Sequence, residues 1–331
     1  MTAAPGRWTA GAAATGQRVD SFLAETVPNQ SRSFFQRLLR QGRVRVNAAV
    51  TSAHRKLKRG DQVEVDWPSG AGSQLGAFAG LSPEEIDLNI VFEDGDLLVI
   101  DKPAGLAVHP GAGRKAGTLA NALAFHFQQI SSEQWPDPER PGIVHRLDKP
   151  TSGLLVVAKT PEIHRRLSEQ FSRRQVRKTY RALVHGLPKP EQDELTWPIG
   201  RDRHRRTRMS VQPGGRPALT AYEVEEQVGP FSLLRVDLHT GRTHQIRVHM
   251  AHAGHPVVGD AVYGTRSTRK QELALLGEDI RMFLHAARLE FRHPSTAKLL
   301  RFRSPLPAEL QAMLVRGQGS GVRGQGRDRG R

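Results

Sequence analysis

The chain has 331 residues, of which 49 are Lys or Arg and 33 are Asp or Glu, for a net charge of +16. The absence of cysteine excludes disulfides, iron–sulfur clusters and cysteine-ligated zinc, and no stretch approaches the ~20 apolar residues that cross a membrane. Basic residues are densest over 1–68 and 316–331, which fits a polyanionic partner and a non-binding basic surface equally well. The lack of cysteine, of a membrane-spanning stretch and of a signal-peptide pattern predicts a cytoplasmic protein.

The N-terminal part of the chain is expected to form a small basic α+β unit over 17–67, preceded by a disordered leader over 1–16 that is rich in Ala, Gly and Thr. Apolar residues in the second of its two helices share one face, and alternation of apolar and polar residues indicates two strands. The predicted elements are a helix beginning at Val19, a helix over 31–40, and strands over 44–47 and 62–66.

A Pro-, Gly- and Ser-rich linker is predicted over 68–86, and the chain beyond it is rich in strands. Strands are predicted over 90–92, 97–100, 154–158, 179–184, 218–224 and 233–238, and helices over 118–128, 161–172 and 244–253. Short turns between strands indicate an α+β domain over 87–314, with a mainly antiparallel mixed sheet and flanking helices. A disordered Gly/Arg tail is predicted over 315–331.

Charged and hydroxyl-bearing side chains cluster over 142–153, directly before the apolar strand predicted over 154–158. Pro150 and Gly153 restrict the shape of this loop. A loop fixed to a rigid strand is a typical location for catalytic groups. These residues alone also permit a plain surface turn, in which Asp148 caps backbone amides and Arg146 is solvated.

The complete run resembles the signature of the large pseudouridine synthase family that modifies ribosomal and transfer RNA. The matching positions are His145-Arg146-Leu147-Asp148, then Thr151-Ser152-Gly153 after two further residues, then an apolar strand ending in Ala158-Lys159. Segments 101–110, 178–184 and 241–249 resemble other motifs of the same family in order and spacing. The resemblance spans about 87–305 and implies an isomerase that converts uridine to pseudouridine within structured RNA.

The resemblance also implies roles for individual residues. Asp148 corresponds to the nucleophile of the family, and Arg247 to the arginine that ion-pairs with it. Tyr180 corresponds to the tyrosine that stacks on the target uracil, and Arg146 to the residue that fills the space left by the flipped base. Attack of Asp148 on the sugar and removal of a proton to form a glycal both remain open.

The N-terminal unit resembles the small RNA-binding domain found in one small-subunit ribosomal protein and in tyrosyl-tRNA synthetases. The resemblance rests on 31–33, 42–47 and 57–61, and it departs from the usual pattern in that Ala48 replaces a glycine after Asn47. The basic residues expected to contact RNA are Arg32, Arg37, Arg43, Arg45 and Lys58. This domain order implies large-subunit ribosomal RNA as the substrate.

The implied reaction needs neither redox chemistry nor an energy source, so we expect no cofactor, and we expect a monomer. Two alternatives remain open at this point. One is a non-catalytic RNA-binding or ribosome-assembly factor. The other is a metal-dependent phosphodiesterase using His244, His249, His252 and His255; these match no known zinc spacing, so no metal site is expected.

Overall fold

A computed structural model describes residues 6–27, 32–67, 81–111, 116–128, 135, 140–203, 205 and 208–319, except the side chains of Ser33, Phe34 and Arg37. The chain divides into two compact units. The first comprises 1–85, 109–116 and 120–142, and the second comprises 86–108, 117–119 and 143–331. In the described residues, no helix combines the length and apolar character needed to span a bilayer.

Residues 6–67 of the first unit form four strands, β1 (Gly6–Thr9), β2 (Val44–Val46), β3 (Ala49–Val50) and β4 (Gln62–Val65), and two α-helices, α1 (Val19–Thr26) and α2 (Arg32–Arg40). The strands make an antiparallel sheet in the order β1-β4-β2-β3. Leu23, Phe35, Leu38, Val44 and Val63 are almost fully buried in its core. The apolar faces of the helices and of the strands, which repeat every 3.6 and every two residues, therefore pack together in one small core.

The prediction of a disordered leader over 1–16 is wrong for residues 6–16. Gly6–Thr9 pairs along the whole of β4, and Ala10 and Ala14 are buried in the core. Trp8 also packs edge to face on Trp67, with ring centroids 6.2 Å apart. Composition alone indicated disorder because small residues supply little apolar area, but the backbone pairing and one tryptophan order the segment.

Asp20 is the polar centre of the first unit. Its side chain is fully buried and accepts hydrogen bonds from Arg18 Nε and Nη2 at 2.9 Å, from Arg32 Nε at 2.9 Å and from Gln36 Nε2 at 2.6 Å. Burial alone would raise the pKa of Asp20, but these donors lower its pKa from 3.8 to about 2. One carboxylate therefore joins α1 to α2.

Replacing Asp20 by asparagine is expected to destabilise the first unit by about 2 kcal/mol at neutral pH. Because the pKa of the folded carboxyl is depressed to about 2, its contribution is complete above about pH 4 and lost as the pH falls to about 2. Hydrogen exchange at the amides of β2 and β4 measures the change. Asp66→Asn is the control, since the Asp66 side chain is 74% exposed; equal exchange in both variants at pH 7 would contradict the assignment.

The turn between β2 and β3 forms despite the missing glycine. Asn47 and Ala48 both have left-handed backbone angles, with φ of 52° and 65°. Asn47 stabilises the turn because its Nδ2 donates to Asp61 Oδ1 at 2.8 Å and its Oδ1 accepts from the amide of Gln62 at 2.8 Å. The substitution at position 48 thus leaves the hairpin intact.

The second unit is built on a nine-stranded mixed sheet in the order β5-β6-β7-β14-β8-β13-β12-β9, with β15 paired to β14. Only the pairing of β7 with β14 is parallel. The strands are β5 (Ile90–Glu93), β6 (Leu97–Lys102), β7 (Ser152–Ala158), β8 (Arg177–His185), β9 (Gln192–Leu195), β12 (Thr220–Val228), β13 (Phe231–Leu238), β14 (Leu284–Arg292) and β15 (Leu299–Arg303). The predicted α+β fold class with a mainly antiparallel sheet is confirmed.

The described residues form one further hairpin and five further α-helices. The hairpin is β10 (Ile199–Arg201) with β11 (Met209–Val211), and the helices are α3 (Leu119–Gln128), α4 (Pro161–Ser172), α5 (Gln245–His252), α6 (Arg266–Leu276) and α7 (Ala308–Gly319). Leu97, Val99 and Val156 pack with Ile163 and Leu167 of α4 in one cluster. In another cluster, strand residues Leu183 and Phe231 pack with Leu276, Leu310 and Met313 of the C-terminal helices.

Two predicted boundaries need correction. Within the predicted linker over 68–86, residues 68–80 lie outside the described part of the chain, but Leu81 is buried and Asn121 Nδ2 donates to the carbonyl of Ser82 at 2.7 Å. The predicted disordered tail is wrong over 315–319, where α7 continues. Gly317 is buried against Val228, and the close approach of helix and strand leaves no room for a larger residue.

Candidate active site

The loop before β7 is held rigidly by its own residues. His145 Nε2 accepts a hydrogen bond from the amide of Val156 at 3.0 Å, and its ring stacks on Phe171 with centroids 4.5 Å apart. Burial, with a smaller contribution from the charge of Lys178, lowers the pKa of His145 to about 3. His145 is therefore neutral and anchors the loop, while Leu147 is buried beside Asp148.

Lys102 supports the other end of this loop. Its ammonium is completely buried and donates to the carbonyls of Pro103 at 2.7 Å, Leu106 at 2.9 Å and Lys149 at 3.4 Å. Burial lowers the pKa of Lys102 to about 8, and the negative charge of Asp148 partly opposes this change. Lys102 therefore ties the 103–106 turn to the residue that follows Asp148.

Gly153 lets β7 approach β14 closely enough to place this loop. Its φ of 112° is disfavoured for residues with a side chain, and a Cβ there would lie 2.4 Å from the carbonyl oxygen of Ala286. The neighbouring Ser152 Oγ bonds to His285 Nδ1 at 2.9 Å across the same parallel pair. The Thr-Ser-Gly part of the motif thus fixes the strand that follows the Asp148 loop.

Asp148 lies against a buried arginine. Arg247 Nη1 donates to Asp148 Oδ2 at 2.9 Å, while Arg247 Nε and Nη2 donate to Asp260 Oδ2 and Oδ1 at 2.6 Å and 2.8 Å. The side chains of Arg247 and Asp148 are 4% and 13% exposed. One guanidinium, fixed by Asp260, therefore presents its remaining Nη1 to Asp148.

Asp260 is the group that orients the guanidinium. Its side chain is fully buried, and Oδ1 also accepts hydrogen bonds from the amides of Val262 at 2.9 Å and Tyr263 at 3.2 Å. Burial alone would lower the pKa of Arg247, but Asp260 and then Asp148 raise its pKa above the ordinary value. Arg247 therefore stays charged and holds the second oxygen of Asp148.

The two carboxylate oxygens of Asp148 differ in their surroundings. Oδ2 accepts from Arg247 and lies 4.0 Å from His244 Nε2. Among the described residues, no donor bonds to Oδ1 within hydrogen-bond distance. A carboxylate with one anchored oxygen, and one oxygen that no described donor holds, can act as a nucleophile or as a base.

Tyr180 lies on β8 between two neighbouring strands, paired with Val236 of β13 and Ala286 of β14. The residue is 6% exposed. Burial raises the pKa of Tyr180 above its ordinary value, and the charge of Asp148 raises it further, so the phenol lies within electrostatic reach of the carboxylate and keeps its proton. Arg146 is exposed on the loop before Asp148, and its charge acts on His244.

His244 caps α5 with left-handed backbone angles, φ 57° and ψ 22°. Its Nδ1 bonds to the Tyr263 hydroxyl at 3.0 Å, and that hydroxyl contacts the amide nitrogen and carbonyl oxygen of Met209 at 3.0 and 3.1 Å. Burial lowers the pKa of His244, Asp148 opposes the change, and Arg247 adds to it. The ring is therefore neutral at pH 7 and is fixed from the side opposite Asp148.

Three arginines are called here the arginine rim, because the charges of two of them act on the third: Arg174, Arg216 and Arg242. They lie on the loops next to β8, β12 and β13, whose paired ends include Thr179 with Asp237 and Thr220 with Leu238. Burial lowers the pKa of Arg242, and the charges of the other two lower it further. None of the three forms an ion pair with a carboxylate in the described residues.

The predicted RNA-binding residues of the first unit differ in their surroundings. Arg32 is 48% exposed although its guanidinium bonds to Asp20, and Arg43 pairs with Asp66 at 3.5 Å. Arg45 and Lys58 are exposed. The side chain of Arg37 lies outside the described residues, so its prediction stays a prediction.

The histidines of the metal alternative contact other protein groups. His249 Nδ1 bonds to Thr220 Oγ1 at 3.0 Å and its Nε2 to the carbonyl of Trp197 at 2.9 Å. His252 packs edge to face on Trp197, and His255 Nδ1 bonds to the carbonyl of His185 at 2.8 Å. In the described part of the chain, no group of three or more His, Asp or Glu residues is arranged to hold a metal ion.

Sequence reasoning missed Asp260, Tyr263 and the position of Lys102 as parts of this site. Asp260 lies outside every segment that resembles a motif of the family. The glycine that precedes Asp260 was the one available signal of a constrained turn. Gly259 has a φ of 75°, and a Cβ there would lie 2.3 Å from the carbonyl oxygen of Arg281. Nothing local to the sequence connects residue 260 with residue 148.

Comparison with known proteins defines the class. The RNA pseudouridylate synthase family matches residues 96–252, and the S4 domain matches residues 17–63. An RNA pseudouridine synthase of Chlorobaculum parvum is 41% identical over 91% of this chain and 94% of its own. The ribosomal large subunit pseudouridine synthase D of Pseudomonas aeruginosa is 42% identical over 90% of this chain and 91% of its own.

A solved structure supports the same assignment. Human RNA pseudouridylate synthase domain containing 1 superposes with a TM-score of 0.55 at 29% identity, covering 69% of this chain and 87% of that one. The chain therefore belongs to the RNA pseudouridine synthase family and carries an N-terminal S4 RNA-binding domain. The predicted family and the predicted enzyme class, an isomerase, are confirmed.

Proposed function

We propose that this enzyme isomerises specific uridines of large-subunit ribosomal RNA to pseudouridine, with Asp148 as the catalytic carboxylate. The observation that carries the proposal is the pair formed by Asp148 and Arg247, in which Oδ2 is held at 2.9 Å while Oδ1 accepts from no donor among the described residues. The choice of substrate is supported by relatives named ribosomal large subunit pseudouridine synthase D, at 42% and 44% identity.

The proposed reaction breaks the N1–C1′ bond of uridine and forms a C5–C1′ bond. Either Asp148 Oδ1 attacks C1′ and is displaced later by C5, or it removes the C2′ proton and returns it. In both routes the C5 proton is lost at the end and N1 gains a proton, so atoms and charge balance. Arg247 Nη1 holds Oδ2 at 2.9 Å, so that Oδ1 is the oxygen presented to the sugar in either route.

The target base must leave the RNA stack to reach Asp148, which costs a few kcal/mol. Tyr180 is proposed to stack on the extruded uracil, at ~1–3 kcal/mol per base. Arg146, exposed on the same loop as Asp148, is proposed to occupy the space that the base vacates. Arg32, Arg43, Arg45 and Lys58 of the S4 domain are proposed to bind phosphates; Arg37 is included from the sequence alone.

The proposal is tested by release of tritium from ribosomal RNA that contains 5-tritiated uridine. We expect release by the wild-type enzyme with large-subunit RNA, and mapping of pseudouridine in that RNA from a deletion strain should show the loss of particular sites. Tritium release from transfer RNA but not from ribosomal RNA would overturn the proposed substrate assignment. No release from any RNA would overturn the proposed activity.

The arginine rim is proposed to bind phosphates beside the target nucleotide. Replacing Arg242 by glutamine is expected to lower RNA affinity and to reduce the slope of log affinity against log salt by about 1, because one phosphate contact is lost. Binding titrations at several salt concentrations measure both quantities. Arg301→Gln is the control, since Arg301 is 67% exposed and pairs with Glu290; equal slopes for both variants would contradict a phosphate contact.

A further inference from the structure

His244 and Asp148 lie at a separation that one hydroxyl group, placed to the side of the line between them, can bridge by bonding to both side chains. His244 Nε2 lies 4.0 Å from Asp148 Oδ2, which is too long for a direct hydrogen bond. An oxygen about 2.8 Å from each atom spans this separation. Such an oxygen must accept from an imidazole N–H and donate to a carboxylate, and a hydroxyl group does both.

The side chain of His244 is held in the orientation that a bridging hydroxyl group requires. Its ring is held at Nδ1 by the Tyr263 hydroxyl at 3.0 Å, and the two rings pack edge to face with centroids 5.7 Å apart. The left-handed backbone at His244 is uncommon for a residue other than glycine and requires support from its surroundings. The free ring nitrogen therefore faces the carboxylate rather than solvent or the helix.

The hydrogen-bonding roles are consistent with this arrangement. The Tyr263 hydroxyl accepts from the amide of Met209 and has one proton, which it can donate either to the carbonyl of Met209 or to His244 Nδ1. Donation to Nδ1 places the ring proton on Nε2, and the negative charge of Asp148 Oδ2, 4.0 Å from Nε2, favours this tautomer. A ligand hydroxyl between them then accepts from Nε2 and donates to Oδ2. Arg247 Nη1 already bonds to Oδ2 at 2.9 Å, so this oxygen is anchored and Oδ1 stays available for chemistry.

We propose that His244 and Asp148 form a subsite for the ribose 2′-hydroxyl of the target uridine. This inference rests on the proposed function, in which Asp148 acts at C1′ or at the proton of C2′. The 2′-oxygen is bonded to C2′, so it necessarily comes close to the carboxylate in either route. The uracil carbonyls accept hydrogen bonds only and are unsuited to a place beside Oδ2.

The subsite has a consequence for substrate choice. The 2′-hydroxyl distinguishes RNA from DNA at a given nucleotide. An enzyme that reads it at the reacting sugar selects ribonucleotides at the site of chemistry as well as through the shape of the surrounding RNA. His244 is then a specificity-determining residue that contacts substrate, and Tyr263 is a positioning residue that acts through it.

The test is a double-mutant cycle between the protein and the substrate. Wild type and His244→Asn are each assayed under single turnover, and in equilibrium binding, with ribosomal RNA fragments that carry uridine or 2′-deoxyuridine at the mapped target. Asparagine tolerates left-handed backbone angles and keeps an atom at the position of Nδ1, but it lacks the atom at Nε2. His244→Gln restores a donor farther out, and His239→Asn alters an exposed histidine as the control.

We expect wild type to prefer the ribose substrate and His244→Asn to reduce that preference roughly tenfold, the effect of one lost hydrogen bond in a buried site. His244→Gln should recover part of the preference, and His239→Asn should leave it unchanged. If the 2′-deoxy substrate turns over too slowly to measure, the same cycle in RNA affinity decides.

The outcomes separate the two proposals. Equal preference in wild type and His244→Asn, by rate and by affinity, would overturn the subsite while the proposed function stands. Failure of wild type to form pseudouridine in any all-ribose RNA would overturn both. A loss of rate in His244→Asn that is identical for both substrates would assign His244 a structural role and would overturn the subsite.

Discussion

Replacing Asp148 by asparagine is expected to reduce pseudouridine formation by at least about 10⁴-fold while leaving RNA affinity nearly unchanged. An amide oxygen is a poor nucleophile and a poor base, so the chemical step is lost. The amide still accepts a hydrogen bond from Arg247, and Asp260 continues to hold the guanidinium at 2.6 Å and 2.8 Å. RNA binding is retained because the substitution removes only a negative charge, which repels the RNA phosphates.

Tritium release under single turnover measures the rate, and a binding titration with the same RNA measures the affinity. Asp279→Asn serves as the control because it makes the same chemical change at an exposed position. Turnover of Asp148→Asn within tenfold of wild type would remove Asp148 from the chemistry. A large fall in affinity with a normal rate would instead assign it to binding.

The second large effect is expected for Arg247→Lys, which keeps the charge but not the shape of the side chain. The arginine bonds to Asp260 through two nitrogens and to Asp148 through a third. A single ammonium cannot reproduce this planar bridge. We expect the single-turnover rate to fall about 10²–10³-fold, with a lower thermal midpoint because buried Asp260 loses a matched partner.

Arg235→Lys is the matched control, since Arg235 is 43% exposed and pairs with Glu223 at the surface of the sheet. It should change neither the rate nor the thermal midpoint appreciably. If Arg247→Lys retained wild-type rate and pH dependence, the cation would be structural only. Combining Arg247→Lys with Asp148→Asn tests whether the two act together, and we expect the double variant to be no slower than Asp148→Asn.

The parts of the site that lie in contiguous sequence were predictable. Residues 142–153 and the strand after them form one loop and its support, so their chemistry is visible in order along the chain. The contact between Asp148 and Arg247 joins residues far apart in sequence and was expected only from resemblance. Asp260 and Tyr263 join the site through turns after α5, which no local pattern encodes.

The fold shows the same limit. Strand β14 lies at the centre of the large sheet, between β7 and β8, yet it was not among the predicted strands. Its sequence begins Leu284-His285-Ala286-Ala287, with a buried histidine and small residues in place of alternating β-branched ones. Its register also shifts between Ala286 and Arg288. Tertiary packing, not local propensity, makes this segment a strand.

The predictions of disorder near both ends of the chain were wrong for a related physical reason. Residues 6–16 and 315–319 are rich in small or charged residues, which bury little area by themselves. Each segment is ordered by a neighbour that the local sequence does not reveal: β4 for the first and Val228 of β12 for the second. Strand pairing and close contact between backbones depend on the three-dimensional arrangement of the chain, which amino-acid composition does not reveal.

The parallel pairing of Ser152 with His285 links the loop of Asp148 to a strand that the ribosome synthesises more than a hundred residues later. Contacts between such distant segments form late, because the intervening chain must first be ordered. While translation has not passed β14, the growing polypeptide holds Asp148, Tyr180 and Arg247 but lacks the strand between β7 and β8. The enzyme thus acquires its catalytic geometry only after the ribosome has passed β14.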